Sequence, residues 1–126
     1  MSAMDVVKTF LDHWNKKEID AACDMLSEDV DYHNIPMDPI KGREASRGFL
    51  AAMGDCETID WKLHAIAENG DMVLTERTDC FYYADGRSLE IPLMGVFKVV
   101  GGEITEWRDY FDLGEFQRQM AAGAGE

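Results

Sequence analysis

Three turn signals in the second half of the chain constrain the fold more than any other feature of the sequence. The pairs Asn69-Gly70, Asp85-Gly86 and Gly101-Gly102 each separate two segments in which apolar residues recur at every second position. Such pairs are typical of the tight turns of β-hairpins. They predict four consecutive antiparallel strands, at residues 57 to 68, 72 to 83, 88 to 100 and 103 to 111.

The first half of the chain is dominated by helical patterns. Val7, Phe10, Leu11 and Trp14 recur at the spacing of one helix face. Two further helices are predicted before the sheet and one after it, and the segment VDYHN predicts a short strand. The predicted ranges are 18 to 29 and 43 to 53 for the two helices, 30 to 34 for the short strand and 113 to 122 for the last helix.

Helices followed by an antiparallel meander indicate an α+β fold, in which the helices cover one face of a curved antiparallel sheet. The 126 residues are enough for one domain with a substantial core, so we expect a single domain over residues 1 to 126. Residues 120 to 126 are expected to form a flexible tail.

Charge and composition exclude several classes of partner. The formal net charge of -13 would repel nucleic acid and anionic lipid, so neither is expected as a partner. The start of the chain, MSAMDVVKTF, has no basic segment leading into an apolar run, and we therefore expect a cytoplasmic protein. The three cysteines and three histidines are scattered without metal-ligand spacing, so no metal or cofactor is expected.

Charged residues occur on a strand face that should be buried. In VLTERTDCFYY, Arg77, Asp79 and Phe81 point to the same side of the strand because side chains alternate between the two faces. In GEITEWRDYFDL the same alternation places Asp109 between two aromatic residues, Trp107 and Phe111. A carboxylate in such a place needs a partner, and the guanidinium of Arg77 could bridge both aspartates.

This cluster has two interpretations at the level of the sequence. It can be a structural ion network, or it can be a catalytic pair in which one carboxylate is ionised and the other carries a proton. Tyr32 and Asn34 share one face of the short strand and could hold a water molecule, although they could equally satisfy nearby backbone groups.

Taken together, the segments YHN at 32 to 34, TERTD at 75 to 79, LMGVFKV at 93 to 99 and WRDYFDL at 107 to 113 resemble the limonene-1,2-epoxide hydrolase family. The resemblance extends from about residue 5 to residue 119. It implies an Asp-Arg-Asp triad in which Asp109 is the base, Asp79 the acid and Arg77 the bridge, while Tyr32 and Asn34 hold the water. It also implies the cone-like fold of ketosteroid isomerases and nuclear transport factor 2, and a homodimer formed through the sheet.

The resemblance implies a cofactor-independent epoxide hydrolase that adds water to a small, apolar, cyclic epoxide to give a vicinal diol in one step. Two alternatives stay open: an isomerase or cyclase of the ketosteroid isomerase type, and a non-catalytic binder of apolar ligands. The side chains predicted to line the substrate pocket, although several also suit a core, are Leu11, Trp14, Ile35, Met37, Leu74, Phe81, Ile91, Leu93 and Phe111.

Overall fold

The computed structural model describes residues 1 to 124 and contains four helices and six strands in that range. The predicted last helix continues to residue 124, and Gly125 and Glu126 of the predicted flexible tail lie outside the described residues. In chain order the elements are α1 (Ala3–Asn15), α2 (Ile19–Cys23), β1 (Leu26–Asn34), β2 (Ile40–Lys41), α3 (Arg43–Met53), β3 (Thr58–Asn69), β4 (Met72–Tyr82), β5 (Ser88–Val100), β6 (Glu103–Tyr110) and α4 (Leu113–Ala124).

All six strands form one sheet in the order β2-β1-β6-β5-β4-β3. The predicted four-stranded meander is confirmed as β3 to β6, and each strand boundary lies within one residue of its predicted position. The turn glycines have the positive φ angles that such hairpins need, for example 63° at Gly70 and 92° at Gly86. The α+β class with helices on a curved sheet is therefore confirmed.

The structure corrects the prediction around β1 in two respects. The second helix ends at Cys23, and the residues from Leu26 onward, which were predicted to be helical, belong to the strand. In addition, β1 pairs with β6 in parallel, so the sheet is mixed rather than wholly antiparallel. Pairing with a neighbour that is distant in sequence outweighs the local helical pattern here, as tertiary contacts often do.

Helix α1 supplies the main apolar cover of the sheet. A capping box begins it, because Ser2 Oγ accepts from the Asp5 backbone N–H while the Asp5 carboxylate accepts from the Ser2 N–H. Phe10 is fully buried and makes edge-to-face contacts with Phe97 on β5 and Trp107 on β6, at centroid distances of 5.9 and 5.1 Å. The helix thus packs across the sheet, from β6 to the edge strand β3.

Two irregularities in strand pairing interrupt the meander. The register between β3 and β4 shifts by one residue between Leu63 and Ala65, and that between β5 and β6 shifts between Lys98 and Val99. An extra residue on one strand of a pair changes which residues lie opposite each other beyond it. Among the described residues, no helix has the length and apolar character needed to cross a membrane.

Candidate active site

Strand alternation brings the five predicted polar residues together inside the sheet. Arg77 and Asp79 come from β4, Asp109 from β6, and Tyr32 and Asn34 from β1. All five are buried, and the side chain of Arg77 has no exposed surface. The register places Asn34 directly beside Asp109. The period-two pattern therefore identified a real cluster.

The guanidinium of Arg77 joins the two carboxylates. Its Nε and Nη2 donate to the two oxygens of Asp79 at 3.0 Å each, and Nη2 also donates to Asp109 Oδ2 at 3.1 Å. The remaining nitrogen, Nη1, donates to the Thr75 hydroxyl at 3.1 Å. Each nitrogen of the guanidinium thus has a partner, which fixes the orientation of the fork.

Asp109 receives a second hydrogen bond from the aromatic core. Trp107 Nε1 donates to its Oδ1 at 2.9 Å. The indole of Trp107 also stacks on Tyr32, with ring centroids 4.3 Å apart. Each oxygen of Asp109 therefore has one donor and keeps lone-pair capacity for another.

Tyr32 and Asn34 form a polar pair next to Asp109. Asn34 Nδ2 donates to the Tyr32 hydroxyl at 3.0 Å. Burial raises the pKa of Tyr32 well above its ordinary value, so the phenol keeps its proton at neutral pH. With its oxygen occupied by Asn34, the Tyr32 hydroxyl can donate that proton to another acceptor.

Burial and the charge of Arg77 shift the pKa values of the two carboxylates in opposite directions. Burial, with a smaller contribution from the charge of Asp79, raises the pKa of Asp109 to about 6, even though the cation of Arg77 favours the ionised form. Burial likewise raises the pKa of Asp79, and Arg77 again opposes this. One guanidinium cannot neutralise two carboxylates, so the cluster favours a state in which one proton is held between them.

These polar groups open onto an apolar cavity. The cavity volume that is open to the centre of a water molecule is about 60 Å³. One water needs roughly 10–15 Å³ on this measure, so the cavity can hold more than a single water. Arg77 lies behind the carboxylates and is not part of the lining. The lining residues are Tyr32, Asn34, Met37, Phe49, Leu50, Met53, Trp61, Asp79, Phe81, Leu89, Ile91, Leu93, Asp109, Phe111 and Phe116.

Five of the nine predicted substrate-binding residues line this cavity: Met37, Phe81, Ile91, Leu93 and Phe111. The other four, Leu11, Trp14, Ile35 and Leu74, are not among the lining residues.

Leu11 and Trp14 belong to the core, and Trp14 stacks behind Trp61 at 4.8 Å. Ile35 follows β1, and its backbone N–H bonds the Asp109 carbonyl. Leu74 lies on the outer face of the sheet and is 42% exposed, because it alternates with the inward-facing Thr75.

Sequence reasoning missed six lining residues. Three of them, Phe49, Leu50 and Met53, lie on α3, where the helical spacing of Leu50 and Met53 is a signal that could have identified them. The others are Trp61, Leu89 and Phe116. Across the described residues, no cluster of three or more His, Cys, Asp or Glu side chains is arranged to hold a metal ion.

Gly95 makes the central contact of the cluster possible. On β5 it lies between Thr75 of β4 and Asp109 of β6, so Arg77 and Asp109 meet across its Cα. A Cβ at this position would lie 2.5 Å from Asp109 Oδ1 and closer still to Arg77 Nη1. Any side chain at residue 95 would therefore separate the ion pair.

The fold and the site together define a class of protein. A curved sheet that encloses an apolar cavity under N-terminal helices is the nuclear transport factor 2-like cone. Within that class, the family model of the limonene-1,2-epoxide hydrolase catalytic domain matches residues 1 to 122. The chain belongs to this family.

Individual relatives agree with the family. The chain is 32% identical over 117 residues to epoxide hydrolase EphG of Mycobacterium tuberculosis, covering 93% of this chain and 78% of the relative. It is similar to the structure of an M. tuberculosis LEH-like epoxide hydrolase, with a TM-score of 0.81, 29% identity and coverage of 98% and 96% of the two chains.

A Xanthomonas campestris protein assigned as a polyketide cyclase has a similar structure. Its TM-score is also 0.81, with 25% identity and coverage of 93% of this chain and 95% of that one. The same architecture therefore occurs with a different assigned activity.

The close approach at Gly95 generates a stability prediction. Gly95→Ala should lower the free energy of unfolding by about 1–3 kcal/mol, because the added methyl overpacks the site and pushes Arg77 from Asp109. Urea denaturation measures the change. Gly48→Ala is the control: it lies in α3 with no atom within 4 Å of the added methyl, so it should stabilise by roughly 0.5–1 kcal/mol. Equal changes in the two variants would contradict the role of Gly95.

Proposed function

We propose that this protein is an epoxide hydrolase that adds water to a small, apolar, cyclic epoxide and releases a vicinal diol. The observation that carries the proposal is the bridge of Arg77 between two buried carboxylates that open onto an apolar cavity. Membership of the limonene-1,2-epoxide hydrolase family and the similarity to EphG support the same activity.

The proposed reaction is a single general acid/base step. Asp109 takes a proton from a water molecule, the water oxygen forms a bond to one epoxide carbon, and the bond from that carbon to the epoxide oxygen breaks. Asp79 donates its proton to the departing oxygen at the same time. Strained epoxides open readily when both transfers are available, because neither an alkoxide nor a hydroxide has to exist free.

Each remaining polar residue has a defined part in this proposal. Tyr32 and Asn34, hydrogen-bonded to each other beside Asp109, hold the attacking water. Arg77 orients both carboxylates and keeps the cluster near neutrality through the step. After release of the diol, Asp109 returns its proton and Asp79 regains one, which restores the starting state. Because both proton carriers are side chains, the proposed reaction uses no cofactor.

The cavity supports an uncharged, apolar substrate. Eleven of its lining residues are apolar, and the lining contains no lysine or arginine among the described residues. An anionic substrate would lose hydration there without gaining a cationic partner.

A cyclase or isomerase is the second candidate, and the similarity to the polyketide cyclase structure favours it. Such an enzyme needs one base that removes a proton next to a carbonyl, a part that Asp109 could play. It gives no task to Asp79, which is tied to the same guanidinium. A non-catalytic binder would give no task to either carboxylate, and their burial would only be a cost.

Turnover of a substrate panel tests the proposed function. The parent should convert small cyclic epoxides such as limonene 1,2-epoxide or cyclohexene oxide to diols in buffer containing EDTA, and should not isomerise a 5-en-3-one steroid. Asp109→Asn should retain the fold and lose on the order of 10²- to 10⁴-fold in rate, because the amide cannot accept the proton of water.

The control for that substitution is Asp60→Asn. Asp60 lies on β3 beside Trp61, half exposed and outside the cavity, so its amide variant should match the parent. Parent-like turnover by Asp109→Asn would remove Asp109 as the base, and steroid isomerisation without diol formation would establish the second candidate.

Isotope labelling separates the one-step reaction from a route through an enzyme ester. With enzyme in excess over epoxide in ¹⁸O-labelled water, the first turnover should place the label in the diol, because water itself attacks carbon. An ester route would deliver an unlabelled carboxylate oxygen and leave ¹⁸O in the enzyme. Mass spectrometry of the diol and of peptides containing Asp109 distinguishes the two, and label in those peptides would contradict the one-step mechanism.

We also propose that the protein is a homodimer formed through the outer face of its sheet. An outer patch of Leu74, Pro92, Met94, Val96 and Tyr110 lies there, on neighbouring strands. Leu74, Met94 and Tyr110 are 42%, 50% and 45% exposed. Clustered apolar side chains of this size on a sheet face are suited to association with a second copy.

Light scattering coupled to size-exclusion chromatography tests the proposed dimer. The parent should have twice the mass of one chain, and Met94→Asp should shift it to the monomer, because the new carboxylate would be buried in an apolar interface. Met120→Asp is the matched control, since Met120 is 46% exposed and belongs to α4 rather than to the strands of the patch. A monomeric parent, or dimers for both variants, would contradict the proposal.

A further inference from the structure

Trp61 lies next to the proposed acid but has no part in the mechanism so far. It is on β3, the edge strand of the sheet, and the register places it directly opposite Asp79. On the other side of Asp79, the opposite residue is Ile91 of β5. Both flanking side chains line the cavity, so the carboxyl of Asp79 has an apolar neighbour on each strand beside it.

The indole of Trp61 is held in place from several directions. It stacks on Trp14 at 4.8 Å and contacts Phe81 edge to face at 6.0 Å. The central carbon of the Arg77 guanidinium lies 5.4 Å from its ring centroid, which is a cation–π distance. The same ring therefore covers both the acid and the cation that orients it.

The backbone of Trp61 is fixed as well. Asn15, the last residue of α1, donates from Nδ2 to the Trp61 carbonyl at 3.2 Å and accepts from the Trp61 N–H at 2.7 Å. These two bonds satisfy backbone groups on the free edge of β3. Helix α1 thereby sets the position of the indole without touching the cavity itself.

A hydrogen bond does not explain why position 61 is tryptophan. Its Nε1–H, like that of Trp14 in the core, is buried and has no hydrogen-bond partner among the described residues, so phenylalanine would lose no bond here. What tryptophan adds is a larger ring and the strongest cation–π face of the aromatic residues. Both properties act on the Arg77 and Asp79 side of the ring.

We propose that Trp61 is a positioning residue that excludes water from Asp79 and holds Arg77 in place, and so keeps Asp79 able to donate its proton to the epoxide. The inference rests on the proposed function. It names Trp61 as the side chain that keeps water away from the acid, Asp79. Burial raises the pKa of Asp79, in agreement with this role.

Few charged or titratable groups near Asp79 can influence its pKa. The titratable or charged side chains that face it are Arg77 on its own strand, Asp109 on β6 and Tyr32 on β1. The residues from β3 and β5 beside it are uncharged. The cavity-lining residues of α3 and α4 are also uncharged: Phe49, Leu50, Met53 and Phe116.

The test is a direct titration of the carboxyl groups. In protein labelled with ¹³C at the aspartate carboxyls, the Asp79 resonance, assigned with Asp79→Asn, should titrate about one pH unit lower in Trp61→Ala than in the parent, because water reaches and stabilises the carboxylate. Trp61→Phe should restore most of the parent value. An unchanged Asp79 midpoint in a folded Trp61→Ala would overturn the proposal.

Two further variants make the result specific. Leu89→Ala also removes a large cavity-lining side chain, but Leu89 lies opposite Phe81 rather than Asp79, so the Asp79 titration should keep its parent midpoint. Asn15→Ala loosens Trp61 without altering the cavity wall and should lower the midpoint by a smaller amount. If Trp61→Ala does not fold, the Asn15→Ala titration decides the matter, and a parent-like Asp79 midpoint in that variant would overturn the proposal.

Kinetics link the titration to catalysis. A general acid works only while it carries its proton, so the alkaline limb of kcat/KM against pH should move downward with the Asp79 midpoint. The acid limb, which reports loss of the ionised base, should stay near pH 6. If the Asp79 midpoint shifts in Trp61→Ala but the parent hydrolyses no epoxide, the proposed function is contradicted and the positioning role of Trp61 stands. If the Asp79 midpoint shifts but the alkaline limb of kcat/KM does not, the link between Trp61 and proton donation is overturned.

Discussion

Burial of one guanidinium between two carboxylates is the interaction on which the rest of the site depends. Charges in an apolar interior lose their hydration, and only close pairing with complete hydrogen bonding offsets that loss. Arg77 meets this condition by binding Asp79, Asp109 and Thr75 at once. Without the cation, two carboxylates would face each other inside the cone, and loss of one partner of a buried pair typically costs about 3–5 kcal/mol.

The backbone, rather than any side chain, allows this cluster to form. Arg77 and Asp109 lie on strands that are separated by β5, and they meet only because Gly95 leaves the intervening position empty. The bulge between β5 and β6 determines that Gly95 is the residue at that position. Counting back from the Gly101-Gly102 turn without a bulge would place Met94 opposite Asp109. The extra residue of the bulge thus places glycine, rather than the long side chain of methionine, opposite Asp109.

The sequence could predict the parts of the site that depend on alternation alone. A period of two was enough to place Arg77, Asp79 and Asp109 on one buried face, and the turn pairs were enough to order the meander. What depends on register could not be predicted in the same way. Without the bulge near His64, Lys62 rather than Trp61 would lie opposite Asp79. Bulges have no reliable sequence signal, and they are common next to active sites.

Leu74 and Trp14, two of the four predicted lining residues that lie elsewhere, were misplaced for different physical reasons. Leu74 contradicts the alternation that placed Arg77 correctly, so the pattern itself excluded it from the inner face. Trp14 obeys its helical pattern and is buried, but a second aromatic ring, Trp61, lies between it and the cavity wall. Whether a buried side chain belongs to the core or lines the cavity depends on which side chains pack between it and the cavity. The sequence of a single segment does not show those neighbours.

The energetic balance of the cluster favours a chemical role over a structural one. A buried ion network can often be replaced by apolar residues of similar volume with no loss of stability, so packing alone gives no reason to place one here. In this protein the network also requires a side-chain-free position in β5. A core without charges would not require it. This cost has a purpose if the two carboxylates exchange protons with a substrate in the cavity that they line.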